Sequence, residues 1–145
     1  MKKVAILLTM ITAVVFVNAQ KVQQKNVPVP VLKGFQKQFP TVKDAKWEKE
    51  DGNYEAGFKV NGTETSVVIN PSGSILETET EMSSNSLSAS IKTYIVKNYP
   101  NQKIKEAAQI TDSKGIVTYE AEVNGKDLIF DNKGKFLKEK KIEVF

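Results

Sequence analysis

Between residues 54 and 60 apolar and polar side chains alternate strictly, with Tyr54, Ala56, Phe58 and Val60 set against Glu55, Gly57 and Lys59. A period of two marks a strand that is covered on one face and wet on the other. Asn61-Gly62 follows. This is the strongest short hairpin signal, because both central residues of a type I′ turn take positive φ. Residues 65–69 return, Asn70-Pro-Ser-Gly73 has the residues of a type I turn with a glycine bulge, and 75–82 supplies another strand. Upstream, 42–49 predicts the first strand of the set, with Ala45 and Trp47 on one side and Lys46 and Glu48 on the other. The turn cluster Asp51-Gly52-Asn53 closes it.

A different period precedes these strands. Val31, Leu32, Phe35 and Phe39 recur at spacings of three and four, which predicts a short amphipathic helix stopped by Pro40. Pro28 and Pro30 both suit its first turn, where a missing N–H loses nothing. Gly34 inside this helix is unfavourable by roughly 1 kcal/mol relative to alanine, and close approach to the sheet would explain it.

The whole order then recurs. Leu87, Ile91, Ile95 and Tyr99 predict a second helix, capped by Ser86 or Ser88 and stopped by Pro100. Strands follow at 104–110 and 117–123, then Asn124-Gly125, Leu128 to Phe130, the turn Asp131-Asn-Lys-Gly134 and a last strand from Lys135. Phe39-Pro40 matches Tyr99-Pro100, Asn61-Gly62 matches Asn124-Gly125, and Gly73 matches Gly134, all at nearly constant offset. A unit of about 60 residues without disulfides is marginal alone. The expected fold is therefore α+β: a tandem repeat of two αββββ units forming one antiparallel sheet, with both helices packed on one face. The expected divisions are a signal peptide at 1–19, a flexible N-terminus at 20–27, a first repeat at 28–82, a linker at 83–86 and a second repeat at 87–145.

The signal peptide rests on Lys2 and Lys3, an apolar run from Val4 to Val17, and Val17-Asn-Ala19 before Gln20. The run is too short to span a bilayer, and no cysteine stands at the cleavage point for lipid attachment. Periplasmic or secreted localisation is the expectation, without membrane insertion after cleavage. Loss of the two leading lysines lowers the formal charge from +4 to +2. With signs interspersed along the chain and no arginine for bidentate phosphate or base contacts, nucleic-acid binding is not expected.

Candidate chemistry is sparse. The chain has neither histidine nor cysteine, which removes the commonest general base, the thiolate nucleophile and the commonest metal ligands. Carboxylates remain: Glu120 with Glu122, and Glu77 with Glu79 and Glu81, each set sharing one face of a strand. They read as a solvated face rather than a catalytic pair, which needs one carboxyl with a raised pKa in an apolar cleft. No catalytic residue, cofactor or metal is expected, and the protein is expected not to be an enzyme. Lys138 and Lys140 stand at the repeat positions of Glu77 and Glu79, so these strands either lie side by side as opposed pairs or form two separately charged edges. Trp47 is expected in the core, its alternative being an interface anchor on the open face.

Phe39-Pro40, Ala45-Lys-Trp47, Tyr54, Asn61-Gly62 and Asn70-Pro-Ser-Gly73, with Tyr99-Pro100, Ala107, Tyr119, Asn124-Gly125 and Asp131-Asn-Lys-Gly134 in the second copy, resemble the PepSY-like family of exported proteins, also described as beta-lactamase-inhibitor-like. The resemblance covers about residues 28–141 and departs at Gln109, which stands where the first copy has Trp47. It implies a periplasmic or secreted binding module in which two tandem units share a sheet whose concave face meets a protein. Related domains add peptidase inhibition as an idea. The expected function is thus an exported non-enzymatic binding or inhibitor-like module, with Glu55, Lys59, Glu120 and Glu122 on the open sheet face as partner-binding residues for a protein or peptide. The alternatives are a structural or stress-related envelope protein without a discrete ligand site and, from a third class, a carboxylate-dependent hydrolase.

Overall fold

In the computed structural model, residues 19–142 are described. The expected signal peptide lies almost wholly outside them. The strands are β1 (Gln20–Val22), β2 (Lys46–Glu50), β3 (Asn53–Val60), β4 (Thr63–Ile69), β5 (Ile75–Glu81), β6 (Ile104–Asp112), β7 (Val117–Val123), β8 (Lys126–Asp131) and β9 (Phe136–Lys141). Helix α1 (Val29–Gln38) precedes β2, and α2 (Ala89–Asn98) precedes β6. All nine strands form one antiparallel sheet whose spatial order is the order of the chain. The helix-then-four-strands order occurs twice, as the periodicities predict.

Both helices pack on the same face. Register partners run unbroken across the sheet through Phe58, Thr65, Thr80, Gln109, Tyr119, Phe130 and Phe136, so these side chains share one side. On it, Val31 and Phe35 of α1 meet Trp47, Ala56, Phe58, Val67 and Ile69. Ile91 and Ile95 of α2 meet Ala107, Ala121, Val123, Leu128 and Phe130. Trp47 is core, 3 % exposed, with the Phe35 ring against it edge to face at 5.2 Å. Its counterpart Gln109 is exposed. Between the helices the covered side carries Thr78, Thr80, Gln109 and Thr111, so two cores flank a polar seam over the β5–β6 pair.

Turn chemistry fixes the hairpins. Asn61 and Gly62 have φ of 50° and 83°, and Asn124 and Gly125 have 53° and 71°, as type I′ geometry requires. The longer turns share one device. Asn70 Oδ1 accepts from the N–H of Ser72 at 3.1 Å and Ser74 at 2.9 Å. Asp112 does the same for Lys114 and Ile116, and Asp131 for Lys133 and Lys135. Gly34 is explained by close approach, since a Cβ there would overlap the carbonyl oxygen of Gly73 in the β4–β5 turn. Ser88 caps α2 through Ile91 N–H at 3.4 Å.

Three expectations need correction. Residues 20–27, expected to be a mobile terminus, are built into the fold: β1 pairs with β2, Gln24–Asn26 form a 3₁₀ turn, and Val27 is buried in the first core. The apolar Val22 and Val27 anchor this otherwise polar stretch. The first repeat strand begins at Lys46 rather than 42, because Val42 N–H first turns back to Phe39 O at 3.2 Å. Finally, β5 pairs with β4 and β6, and β9 with β8, so Glu77 and Glu79 are not cross-strand partners of Lys138 and Lys140, and β5 is not an edge.

Candidate functional site: the open face of the sheet

The face opposite the helices follows from the same registers. One row runs Lys21, Glu48, Glu55, Val68, Glu77, Asp112. The next runs Lys46, Gly57, Ser66, Glu79, Ile110, Thr118, and the third runs Glu81, Ala108, Glu120, Ile129, Lys138. A fourth sets Glu106, Glu122, Asp127 and Lys140 in line. Glu48 opposes Glu55, Glu77 opposes Asp112, and Glu122 stands between Glu106 and Asp127; like charges so placed repel. Both signs are interspersed along the chain but acids gather on this face, because a period of two sends Glu77, Glu79 and Glu81 of β5, and Glu120 and Glu122 of β7, to one side. The helices carry Lys33, Lys37, Lys92 and Lys97 and no acidic residue.

This face is concave. Ala108, Ile110 and Ile129 lie on it, yet each is less than a tenth exposed with no helix above. A depression of about 520 Å³ on this face is lined by residues of five successive strands, β3 to β7. Coiling of the sheet, with bulges beside Glu106 and Ile129, accounts for both observations.

Curvature changes the acids. They do not form the simple solvated face expected of them. Glu120 is pushed up to about 7, first by burial and then by Glu79, Asp127 and Glu77. Burial also raises Glu55, which Ser66 partly offsets by a hydrogen bond while Glu48, Glu50 and Glu77 add to the rise. Glu79 is raised by burial, Glu55, Glu77 and Asp127. Asp127 is raised by burial, Glu122 and Glu106. Among the described residues no three carboxylates converge closely enough to hold a metal ion.

All four sequence-predicted residues lie on this face but not in one spot. Lys59 and Glu120 both line a depression of about 520 Å³, together with Gly57, Ser66, Glu79, Glu81 and Ala108. Lys59 sits at its lip in an exposed 2.8 Å ion pair with Glu64. Glu55 and Glu122 lie outside it, and Glu122 accepts from Lys105 Nζ at 3.0 Å. Sequence reasoning missed the floor residues Gly57 and Ala108. The strand-interior glycine was the available signal.

Comparison with known proteins agrees with this architecture. The family model described as "Putative beta-lactamase-inhibitor-like, PepSY-like" matches residues 14–77 and 52–138. The chain belongs to the PepSY-like family. A DUF2874 family protein of Bacteroides ovatus is similar at 24% identity and a TM-score of 0.68, over 79% of this chain and 86% of that one. A Bacteroides eggerthii protein named as one of the "putative periplasmic proteins" gives a TM-score of 0.71 at 17% identity, over 79% and 88%. A BLIP-like protein of Bacteroides fragilis gives 0.61 at 26% identity, over 78% and 84%. A search of curated proteins found no match. No helix among the described residues is long and apolar enough to cross a membrane.

Proposed function

We propose that the protein is an exported, non-enzymatic binding or inhibitor-like module whose concave sheet face receives a basic surface of a protein or peptide. The observation that carries this reading is the uncovered, coiled face on which carboxylates outnumber lysines and several are held half-buried without a partner. A cationic surface would relieve that repulsion and be steered toward it by the field, whereas a nucleic-acid backbone would be repelled. Glu55, Glu120 and Glu122 act as the acidic contacts and Lys59 as a rim charge. Relatives named as periplasmic and the leader-like residues 1–19 support export. The family description and the name of the Bacteroides fragilis protein support recognition of the inhibitor type.

Affinity capture from periplasmic extract tests the reading, comparing the native protein with the variant Glu77→Lys, Glu79→Lys, Glu120→Lys. Loss of the captured partner is the expected result. Capture of the same partners by both forms would remove the face from consideration, and no specific capture by either would favour the envelope-structural alternative.

A second reading rests on Glu120. A carboxyl near neutrality beside another carboxylate is what general acid chemistry requires. Hydrolytic activity abolished by both Glu120→Gln and Glu79→Gln would establish it, and activity insensitive to both would dispose of it.

A further inference from the structure

Of the eight glycines, seven are explained by the fold. Gly52, Gly62, Gly73, Gly115, Gly125 and Gly134 have positive φ, and Gly34 sits against the β4–β5 turn. Gly57 has neither reason. It lies in the middle of β3, paired with Lys46 on one side and Ser66 on the other, outside the left-handed region. A Cβ built on it would meet nothing within 4 Å. Glycine in a strand interior weakens the strand, and it marks places where a ligand or another backbone comes close. Nothing among the described residues comes close to Gly57 on that side, so the space above it is open.

That space belongs to the depression of about 520 Å³ on the concave face. Its lining includes the small residues Gly57 and Ser66, the carboxylates Glu64, Glu79 and Glu81, and Lys59, and Gly57, Ser66 and Glu79 stand in register on the adjacent strands β3, β4 and β5. A narrow apolar stem can lie across Gly57 beside Ser66, while a cation at its end reaches Glu79, two strands away, which is how lysine and arginine side chains settle on protein surfaces. A planar guanidinium can address two carboxylates at once.

Resting on the partner-binding reading above, we propose that the depression over Gly57 is the anchor pocket for a single arginine or lysine side chain of the bound protein, arginine being preferred. The charge of Glu79 and Glu81 on β5 selects the cation, and the missing side chain at Gly57 makes the room. This assigns a specificity-determining role to a residue with no functional group.

Amide-resolved NMR titration tests it, using capped pentapeptides Ala-Ala-Xaa-Ala-Ala in which Xaa is arginine, lysine or the neutral isostere citrulline. The arginine peptide is expected to shift amides around Gly57, Ser66 and Glu79 in a saturable way, with the citrulline peptide weaker by about tenfold or more. Gly57→Leu should fold with an unchanged or higher Tm and lose the arginine peptide. Glu79→Gln should weaken it and leave the space intact. Equal affinity for arginine and citrulline, full affinity in Gly57→Leu, or arginine-peptide shifts confined to the helices would each overturn the anchor. If Gly57→Leu still captures the partner and the charge-reversal variant does not, the face reading stands and the anchor falls. If neither variant alters capture, both fall.

Discussion

Tyr99 donates a 2.7 Å hydrogen bond to Glu139 Oε2, tying the C-terminal cap of α2 to the last strand, while Lys126 holds the other carboxylate oxygen at 2.9 Å. The first copy has Phe39 at the matching place and lacks the tie. The hydrogen bonds from Lys126 and Tyr99 hold Glu139 below the ordinary carboxylate range, and Glu139 in turn pushes Tyr99 up to about 12. A lowered carboxyl pKa contributes stability that is present above the unfolded value near 4.5 and lost as pH falls through the folded one. Tyr99→Phe should therefore lower Tm modestly at pH 7 and converge with the native protein in acid. Thermal melts at pH 7 and pH 3 check this.

Glu120 has the opposite sign. Its folded pKa, about 7, lies above the ordinary glutamate value of 4.5, so the folded state holds the proton more tightly and stability falls as pH rises from about 4.5 to 7. Glu120→Gln removes that penalty. Calorimetry should show the variant more stable than the native protein at pH 8, with little difference at pH 4 and a flatter Tm profile between them.

The two strand-facing glycines Gly34 and Gly57 should respond in opposite directions. Gly34→Ala forces a methyl into the Gly73 carbonyl and is expected to be unfavourable by ~1–3 kcal/mol, the range for overpacking. Gly57→Ala meets open space and should be stabilising by about 0.5–1 kcal/mol. Urea denaturation of both variants, compared through the midpoint at constant slope, separates them.

The two cores are joined by the β5–β6 ladder under a threonine-lined seam. Each half alone is about the size at which a single core becomes marginal. One cooperative transition is expected for the whole protein, with α1–β5 and α2–β9 failing to fold stably when expressed separately. Two independent transitions, or two stable halves, would contradict it.

Much of this architecture was legible in the chain because local chemistry dictates it. Asn61-Gly62 and Asn124-Gly125 announce their turns, Pro40 and Pro100 end their helices, and the alternation from Tyr54 to Val60 names its buried side. The concavity was implied by the family resemblance and by no pattern of residues. Ile110 and Ile129 lie on the open face yet are buried, and that burial depends on coiling summed over many strands. Strand β1 escaped because three residues, Gln20-Lys-Val, are too few to show a period. Of the four expected contact residues all lie on the open face, but Lys59 and Glu120 alone meet in one depression, because the register across β4 to β6 decides which rows coincide.

The nine strands lie in the sheet in the order in which they occur in the chain. Six of the eight strand pairings close through turns of a few residues, and the other two, β1–β2 and β5–β6, each span one helix, so each strand pairs with its neighbour in the chain and no contact joins distant segments. Assembly can then advance hairpin by hairpin from either end, as a growing edge rather than a collapse around a distant contact. A chain of this kind is suited to acquiring its structure while it is still being threaded into a compartment.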